Sequence, residues 1–384
     1  MTEQEDTGRS REEEVLRARR GSLERLGDRA FAISLSEALG VDQPVATSAL
    51  RERFGTLPPD RREEERVAVA GRVVLKRDMG KLKFLTLRDG SGDIQLVCNM
   101  AELDDESFAL LDEVDLGDII GAVGQVGTTR RGELSIFVER WSMLTKSLRP
   151  LPEKWHGLKD PDLQQRRRYL HLIADETPRR YLAARAALLR ALREVLHERG
   201  FVEFEGPMLQ TVAGGASARP FTTFHEALGI ETKLRISLEL HLKRLLVGGI
   251  ERVYELGRNF RNEGIDRDHN PEFTMLEAYQ AYGDYTTMME LSEVLVRESA
   301  RAVNPVMGRD RGLLSLPWRG GEVDLAPPFR RLPMLEAVSI ATGEQITLER
   351  TDLRAIAERH GVPVDDVWGP GKVVVELFEK LVED

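Results

Sequence analysis

Residues 251–282 read ERVYELGRNFRNEGIDRDHNPEFTMLEAYQAY, and the alternation inside this stretch decides what fold surrounds it. Tyr254, Leu256 and Phe260 fall on one face of an extended segment, while Glu255, Asn259, Arg261 and Glu263 fall on the other. Period-2 alternation of this kind predicts a half-buried strand. Asn262 to Pro271 holds Gly264, two Asp, two Asn and a Pro, all turn formers, and predicts a polar loop. Beyond the loop, Phe273, Met275, Glu277 and Tyr279 share one face of a second strand. The pair makes a hairpin that sets Arg, Glu, an aromatic ring and a second Glu on a rigid floor. A guanidinium fork suits a phosphate or a carboxylate, and a ring suits stacking on a base. The same alternation also describes an inert amphipathic hairpin with a solvated face, and pattern alone leaves the two readings level.

The stretch resembles motif 2 of the class II aminoacyl-tRNA synthetases, and FRNEG followed by HNPEFTMLEAY is similar to their lysyl branch. The match is long and unbroken. In the reaction this resemblance implies, a carboxylate attacks the α-phosphorus of ATP, and the protein mainly positions reactants and neutralises charge. Arg261 would be the catalytic charge, bridging the lysine carboxylate and the α-phosphate. Glu263 would contact the adenine side, His269 the phosphate tail, and Phe273 would stack on adenine. Glu277 and Tyr279 would receive the lysine ε-ammonium, which once desolvated must be paired. Such readers favour lysine over aspartate or asparagine.

The composition is compatible with this. The chain has 384 residues, 41% hydrophobic and 31% charged, with a net charge of −10. That length suggests two or three domains, and the acidic balance argues against a broad nucleic-acid-coating surface while leaving room for local basic patches. No run approaches the roughly 20 apolar residues of a membrane span, and MTEQEDTGRSREEE has no apolar signal region. The single cysteine, Cys98, excludes an internal disulfide or a cysteine metal cluster and reads as a small core residue. A cytoplasmic protein is expected, with no membrane association.

Residues 1–65 read as a charged helical extension. Leu16, Leu23 and Leu26 give weak spacing, and Arg17, Arg19, Arg20 and Arg25 form a basic cluster. A charged helix usually means a solvated face; the resemblance offers a tRNA-backbone contact instead. LPPDRREEE, 57–65, reads as a linker. From 66 to 145, short runs rich in β-branched residues between glycine turns predict a small barrel. GKLKFLTLRDGSGDIQLV resembles the anticodon-binding OB-fold of lysyl, aspartyl and asparaginyl synthetases, where rings stack and polar edges read unpaired bases. By position Phe84 would be the stacking ring, and Gln95 and Glu133 the polar readers; without the resemblance, Phe84 could equally sit in the barrel core. Residues 146–177 form a basic hinge with seven Lys or Arg against three acids between Lys146 and Arg168. It resembles the family's hinge, with His171 where Asp is usual.

Leu182, Ala186, Leu189, Leu192 and Leu196 then hold helical spacing up to Gly200. The strand FVEFEGPML follows, ending at Pro207. This order resembles motif 1, the dimer element, and implies a homodimer; Gly206 replaces the usual Thr. GGASARPF, 214–221, brings adjacent glycines that let backbone approach a ligand, and Gly215 is the glycine the resemblance assigns to the lysine amino group. TTFHEAL departs from the usual pattern at Phe224 and Glu226. LRISLELHLKRLLVGG supplies Glu239 at a strand-to-helix transition, with His241 where Tyr is usual. Alone, Glu239 reads as a helix-start acid favoured by the dipole; the resemblance gives it the lysine α-amino group.

The expected architecture is therefore an all-β OB-fold barrel for anticodon binding, followed by an α+β catalytic domain on an antiparallel sheet spanning 178–384 and incomplete at the C-terminus. The chain contains neither the glycine-rich GxGxGxDR of motif 3 nor a P-loop; GPGK at 369–372 has the wrong spacing. By resemblance, the Mg2+ ligands and the γ-phosphate arginine would lie beyond Asp384. Lysine activation by this polypeptide alone is then expected to be severely impaired, since one lost preorganised charge contact costs about a hundred- to thousandfold in rate. The implied partners are tRNA(Lys), L-lysine and ATP. Two other readings remain: a non-catalytic paralogue that binds tRNA or a partner protein, for which the departures at 171, 224, 226 and 241 argue and against which the intact motif 2 argues, and an enzyme that lysylates an elongation factor, disfavoured by the OB-like segment.

Overall fold

The computed structural model describes residues 3–32, 34–151, 160–266 and 269–383, which fall into two units, Met1–Pro178 and Arg179–Asp384. In the first, α1 (Glu3–Leu26), α2 (Leu35–Leu39) and α3 (Thr47–Phe54) precede β1 (Arg62–Asp78), β2 (Leu82–Arg88) and β3 (Asp93–Asn99). Then come α4 (Asp105–Leu110), β4 (Ile119–Thr128), β5 (Leu134–Thr145), α5 (Pro161–Arg166) and α6 (Arg168–Ala174). The strands close into a barrel in the order β1-β2-β3-β5-β4, antiparallel except for β3 beside β5. This closed five-stranded order, with α4 between the third and fourth strands, is that of an OB-fold.

Alternation makes the barrel. Lys83, Leu85 and Leu87 of β2 are buried while Phe84, Thr86 and Arg88 between them are half-buried on the outer side. Leu85, Leu87, Ile94, Leu96, Cys98, Ile120 and Ile136 share one core, each buried side chain contributing about 1.5–3 kcal/mol. Burial pushes the Cys98 thiol up to about 12, so it is an inert core group. Phe84 lies outside this core.

Two expectations change. The 57–65 linker ends early, because β1 starts at Arg62. Its charges hid the strand: they point outward into pairs such as Arg62 with Glu102 at 3.0 Å and Arg66 with Glu139 at 2.8 Å. Half of the basic cluster of α1 is also engaged within the unit. Arg19 is buried and donates to the carbonyls of Leu116, Ser147 and Arg149 at 2.8–2.9 Å. Arg25 makes a two-pronged pair with Glu113 at 2.6 and 2.7 Å. Beneath Arg19, the buried Lys146 ammonium meets Asp115 at 2.5 Å and the fully buried Asp118 at 2.8 Å. The helix is thus a clasp on the start of the hinge, with Arg17 and Arg20 left facing solvent.

The second unit continues α7 (Thr177–Glu198), then β6 (Val202–Glu203), β7 (Leu209–Gln210), β8 (Thr222–His225), β9 (Ile230–Leu234) and α8 (Glu239–Val247). Next are β10 (Arg252–Phe260), β11 (Glu272–Gln280), α9 (Tyr285–Val306), β12 (Ser315–Trp318), β13 (Gly321–Asp324), α10 (Met334–Thr342), α11 (Leu353–Arg359) and α12 (Pro370–Leu381). The anticipated hairpin is β10–β11, antiparallel with Arg252 opposite Gln280 and Phe260 opposite Glu272. The sheet is antiparallel there, but β6 joins β10 in parallel and is only two residues long. The hairpin's apolar face, with Tyr254, Leu256, Leu276 and Ala278, packs on Leu196 and Phe201 and on Met288, Leu291 and Leu295 of α9. This packing keeps the opposite face rigid. The α10–α12 helices carry their own core of Val338, Ile356, Val373 and Leu377. Phe224 and Glu226 sit in or beside an exposed hairpin turn between β8 and β9.

Candidate active site

The hairpin register sets Val253, Glu255, Gly257 and Asn259 opposite Tyr279, Glu277, Met275 and Phe273, so these side chains share a face. A solvated polar face was one expectation, and the β10 half overturns it. Glu255 and Asn259 are buried, because Arg235, just after β9, reaches into the sheet. Arg235 Nη1 lies 2.5 Å from Glu255 Oε1, both side chains being at most 3% exposed. Arg235 Nε donates to the Arg258 carbonyl at 2.8 Å, and the Gly206 N–H donates to Glu255 Oε2 at 3.0 Å. A Cβ at Gly206 would stand 3.0 Å from that same oxygen, and one at Gly257 would press on the Arg235 guanidinium. The two glycines make room for a buried ion pair that ties β10 to the strands beside it. Its sequence signal is an Arg between Leu234 and Ile236; nothing local names the partner.

The next residues, Ile236 to Glu239, form a short rail under the polar side chains of β11. Glu277 Oε1 accepts the Leu238 N–H at 3.0 Å and the Ser237 hydroxyl at 3.3 Å. Glu277 Oε2 accepts the Tyr279 hydroxyl at 3.0 Å. Burial, then the charge and hydrogen bond of Glu277, raise the Tyr279 phenol above its ordinary range, so it remains a protonated donor. Glu239 opens α8; its carboxylate meets Lys243 Nζ at 2.6 Å, and that ammonium lies 5.9 Å from the Tyr279 ring centre. Gly215 has φ of +87°, and a Cβ there would come within 2.6 Å of Ser237 Oγ. Glycine is required on both counts. Gly215, Glu239 and Glu277 therefore converge on Ser237, with Tyr279 joined through Glu277; a small hydroxyl in LRISLEL carries no spacing signal.

Arg261 stands at the other end of the rail. Its Nε lies 3.5 Å from the Ile236 carbonyl, and its guanidinium is 5.1 Å from the Phe273 ring centre. Asn262 N–H donates to the Arg219 carbonyl at 2.7 Å, and Arg219 N–H donates to Glu263 at 3.4 Å. These bonds lace the glycine loop to the hairpin loop around an open groove of about 520 Å³ lined by Ser217, Ala218, Arg219, Asn262, Glu263 and Gly264. His269 is held apart on the exposed loop, its Nδ1 2.8 Å from Asp266. His241, half-buried on α8, is lowered by burial and then by Arg244, and is a neutral imidazole at pH 7. Pro207 is exposed between β6 and β7.

The barrel carries a second cluster. Phe84 and Val97 are cross-strand partners, as are Thr86 and Gln95. Arg77 donates to Gln95 at 3.3 Å and sits 5.8 Å from the Phe84 ring centre. Gln95, 8% exposed, donates to Ser135 at 3.0 Å. Glu133 is exposed, 3.9 Å from Arg51. The outer wall thus has a ring, an amide and a guanidinium together, with the carboxylate at its margin. Arg77 was not anticipated.

A barrel of OB topology and a hairpin floor bearing an arginine, a ring and two carboxylates define a synthetase of the second class. The chain belongs to the class II tRNA synthetases of the D, K and N group, whose family profile matches residues 160–365, and residues 67–144 match the OB-fold nucleic acid binding domain. Its curated relatives include the lysine–tRNA ligase of Moorella thermoacetica, 47% identical over 340 residues, covering 88% of this chain and 67% of that protein. Those of Pelotomaculum thermopropionicum, 46% identical over 327 residues (84% and 63%), and Carboxydothermus hydrogenoformans, 44% over 322 (83% and 64%), are similar. The chain spans about two thirds of the length of these relatives.

Proposed function

We propose that this chain forms the lysine- and ATP-binding floor of a lysine–tRNA ligase, which activates L-lysine as lysyl-adenylate and transfers it to tRNA(Lys). One observation carries the reading: a half-buried glutamate–tyrosine pair, Glu277 and Tyr279, stands on the same rail as Glu239, with the Arg261 cation at the rail's far end. A ligand with an ammonium at one end and a carboxylate at the other fits that polarity. In this reading Glu277 and Tyr279 hold the ε-ammonium, while Gly215 and Glu239 hold the α-ammonium. Arg261 draws the lysine carboxylate against the α-phosphate and spreads the negative charge that grows as the new bond to phosphorus forms. Phe273, Glu263 and His269 take the adenine ring, its polar edge and the phosphate tail.

Mg2+ accompanies ATP in this family's chemistry and would neutralise phosphate charge. Among the described residues no three or more His, Cys, Asp or Glu gather as a metal site. Residues 66–145 serve as the anticodon barrel, with Phe84, Gln95 and Glu133 as readers, 1–65 as its extension, 146–177 as the hinge and 178–384 as the catalytic part. The exposed Tyr181 and Leu182 of α7 and Val202, Met208 and Leu209 around Pro207 support a homodimer built on this motif. Membership of this tRNA synthetase family supports action in the cytoplasm; no described helix is long and apolar enough to cross a membrane.

Titration calorimetry with lysine, and with norleucine, which has the same four-carbon side chain but no ε-ammonium, tests the reading. We expect lysine to bind and norleucine to bind at least about a hundredfold more weakly, the scale of one unpaired buried charge. Equal binding of the two would falsify it.

A further inference from the structure

Ser237 is 3% exposed, and its hydroxyl touches three elements of the lysine site at once. It accepts the Glu239 N–H at 3.0 Å and donates to Glu277 Oε1 at 3.3 Å. Its Oγ also occupies the space that a side chain at position 215 would need. A hydroxyl has one proton to give and two lone pairs to fill, so its single proton is committed to Glu277.

We infer that Ser237 is the positioning residue that sets the site's discrimination for an ε-ammonium. On the lysine reading above, on which this rests, the role of Ser237 follows from how many acceptor positions Glu277 has left. Glu277 Oε1 has two lone pairs, and the Leu238 N–H and the Ser237 hydroxyl fill both. Oε2 has one of its two filled by Tyr279. The carboxylate is thereby locked in one rotamer and left with a single open acceptor position, on Oε2. An alkylammonium that brings three N–H donors in a fixed tetrahedral arrangement meets that position only if the carboxylate does not rotate. Without Ser237, Oε1 has an open lone pair as well, and the carboxylate turns between two orientations. The same loss frees the first N–H of α8, so Glu239 and Glu277 loosen together.

The experiment is a binding series on the full 384-residue chain: wild type, Ser237→Ala and Ser237→Thr, each titrated with lysine, norleucine and ATP. We expect Ser237→Ala to bind lysine roughly tenfold to a hundredfold more weakly, as loss of a hydrogen bond to a charged group does. Norleucine and ATP affinities should change less than about twofold, since neither engages Glu277, and Ser237→Thr, which keeps the hydroxyl, should recover most of the lysine affinity. A purely structural role would weaken all three ligands in parallel and would track the melting temperature; that result overturns the inference. So does unchanged lysine affinity in Ser237→Ala. Wild-type protein that binds ATP but no lysine overturns the lysine reading itself and the inference with it, and is told apart from the other failures by the wild-type titration alone.

Discussion

Arg235 shows how much one residue can carry. Its guanidinium serves Glu255 and two backbone carbonyls, so Arg235→Met leaves a carboxylate buried without its counter-charge. We expect a loss of about 3–5 kcal/mol of stability in urea unfolding, with part recovered when Glu255→Gln is added, because the stranded charge is then gone. Gly215→Ala meets both a disfavoured φ and Ser237; lysine affinity should fall at least about tenfold while ATP affinity stays, as calorimetry would show. His241 gives a pH signature. Burial first, then Arg244, lowers its folded pKa below the ordinary 6.5. The unfolded chain therefore binds more protons between the two values, and stability contributed by the neutral ring is intact above 6.5 and drains away as pH falls below it. Urea midpoints of His241→Gln should match wild type at pH 7.5 and fall less steeply toward pH 5.5. At this scale the sequence was partly legible. Arg261, Phe273, Glu277 and Tyr279 alternate within one hairpin, and alternation survives in one dimension. Ser237 and Arg235 act across strands far apart in the chain, and no local pattern encodes a cross-strand partner.

Elements tell a similar story with the opposite sign. The arginines of α1 are a conspicuous run in sequence, yet Arg19 and Arg25 are committed inside the first unit. Arg19→Met should release α1, seen as lost hydrogen-exchange protection from 12 to 26 with the barrel strands unchanged. Glu113 is held below the usual carboxylate range, first by the Arg25 hydrogen bond. Its contribution is thus complete above the unfolded value near 4.3 and is lost as pH falls through the lower folded one. The stability gap between wild type and Glu113→Gln should be present at pH 7 and close in urea titrations below about pH 4. Charge density is a one-dimensional quantity; which charges remain free is decided by packing. For the same reason the strand at Arg62 hid among acids, whereas the barrel strands with clean apolar alternation stood out.

The whole molecule is two compact units joined through one continuous chain. Multidomain chains unfold in more than one step, and a ligand stabilises only the part that binds it, by about 2.7 kcal/mol at a hundred times its Kd. Calorimetry should show two transitions, of which lysine raises one and leaves the other in place; a single transition moved as a whole would contradict the assignment of the ligand to residues 179–384. The helical cluster α10–α12 adds a last point. Its buried side chains pack on one another and form a core distinct from those under the hairpin. A void opened by a large-to-small change between 334 and 381 is therefore confined to that private core, and the packing beneath the hairpin does not feel it.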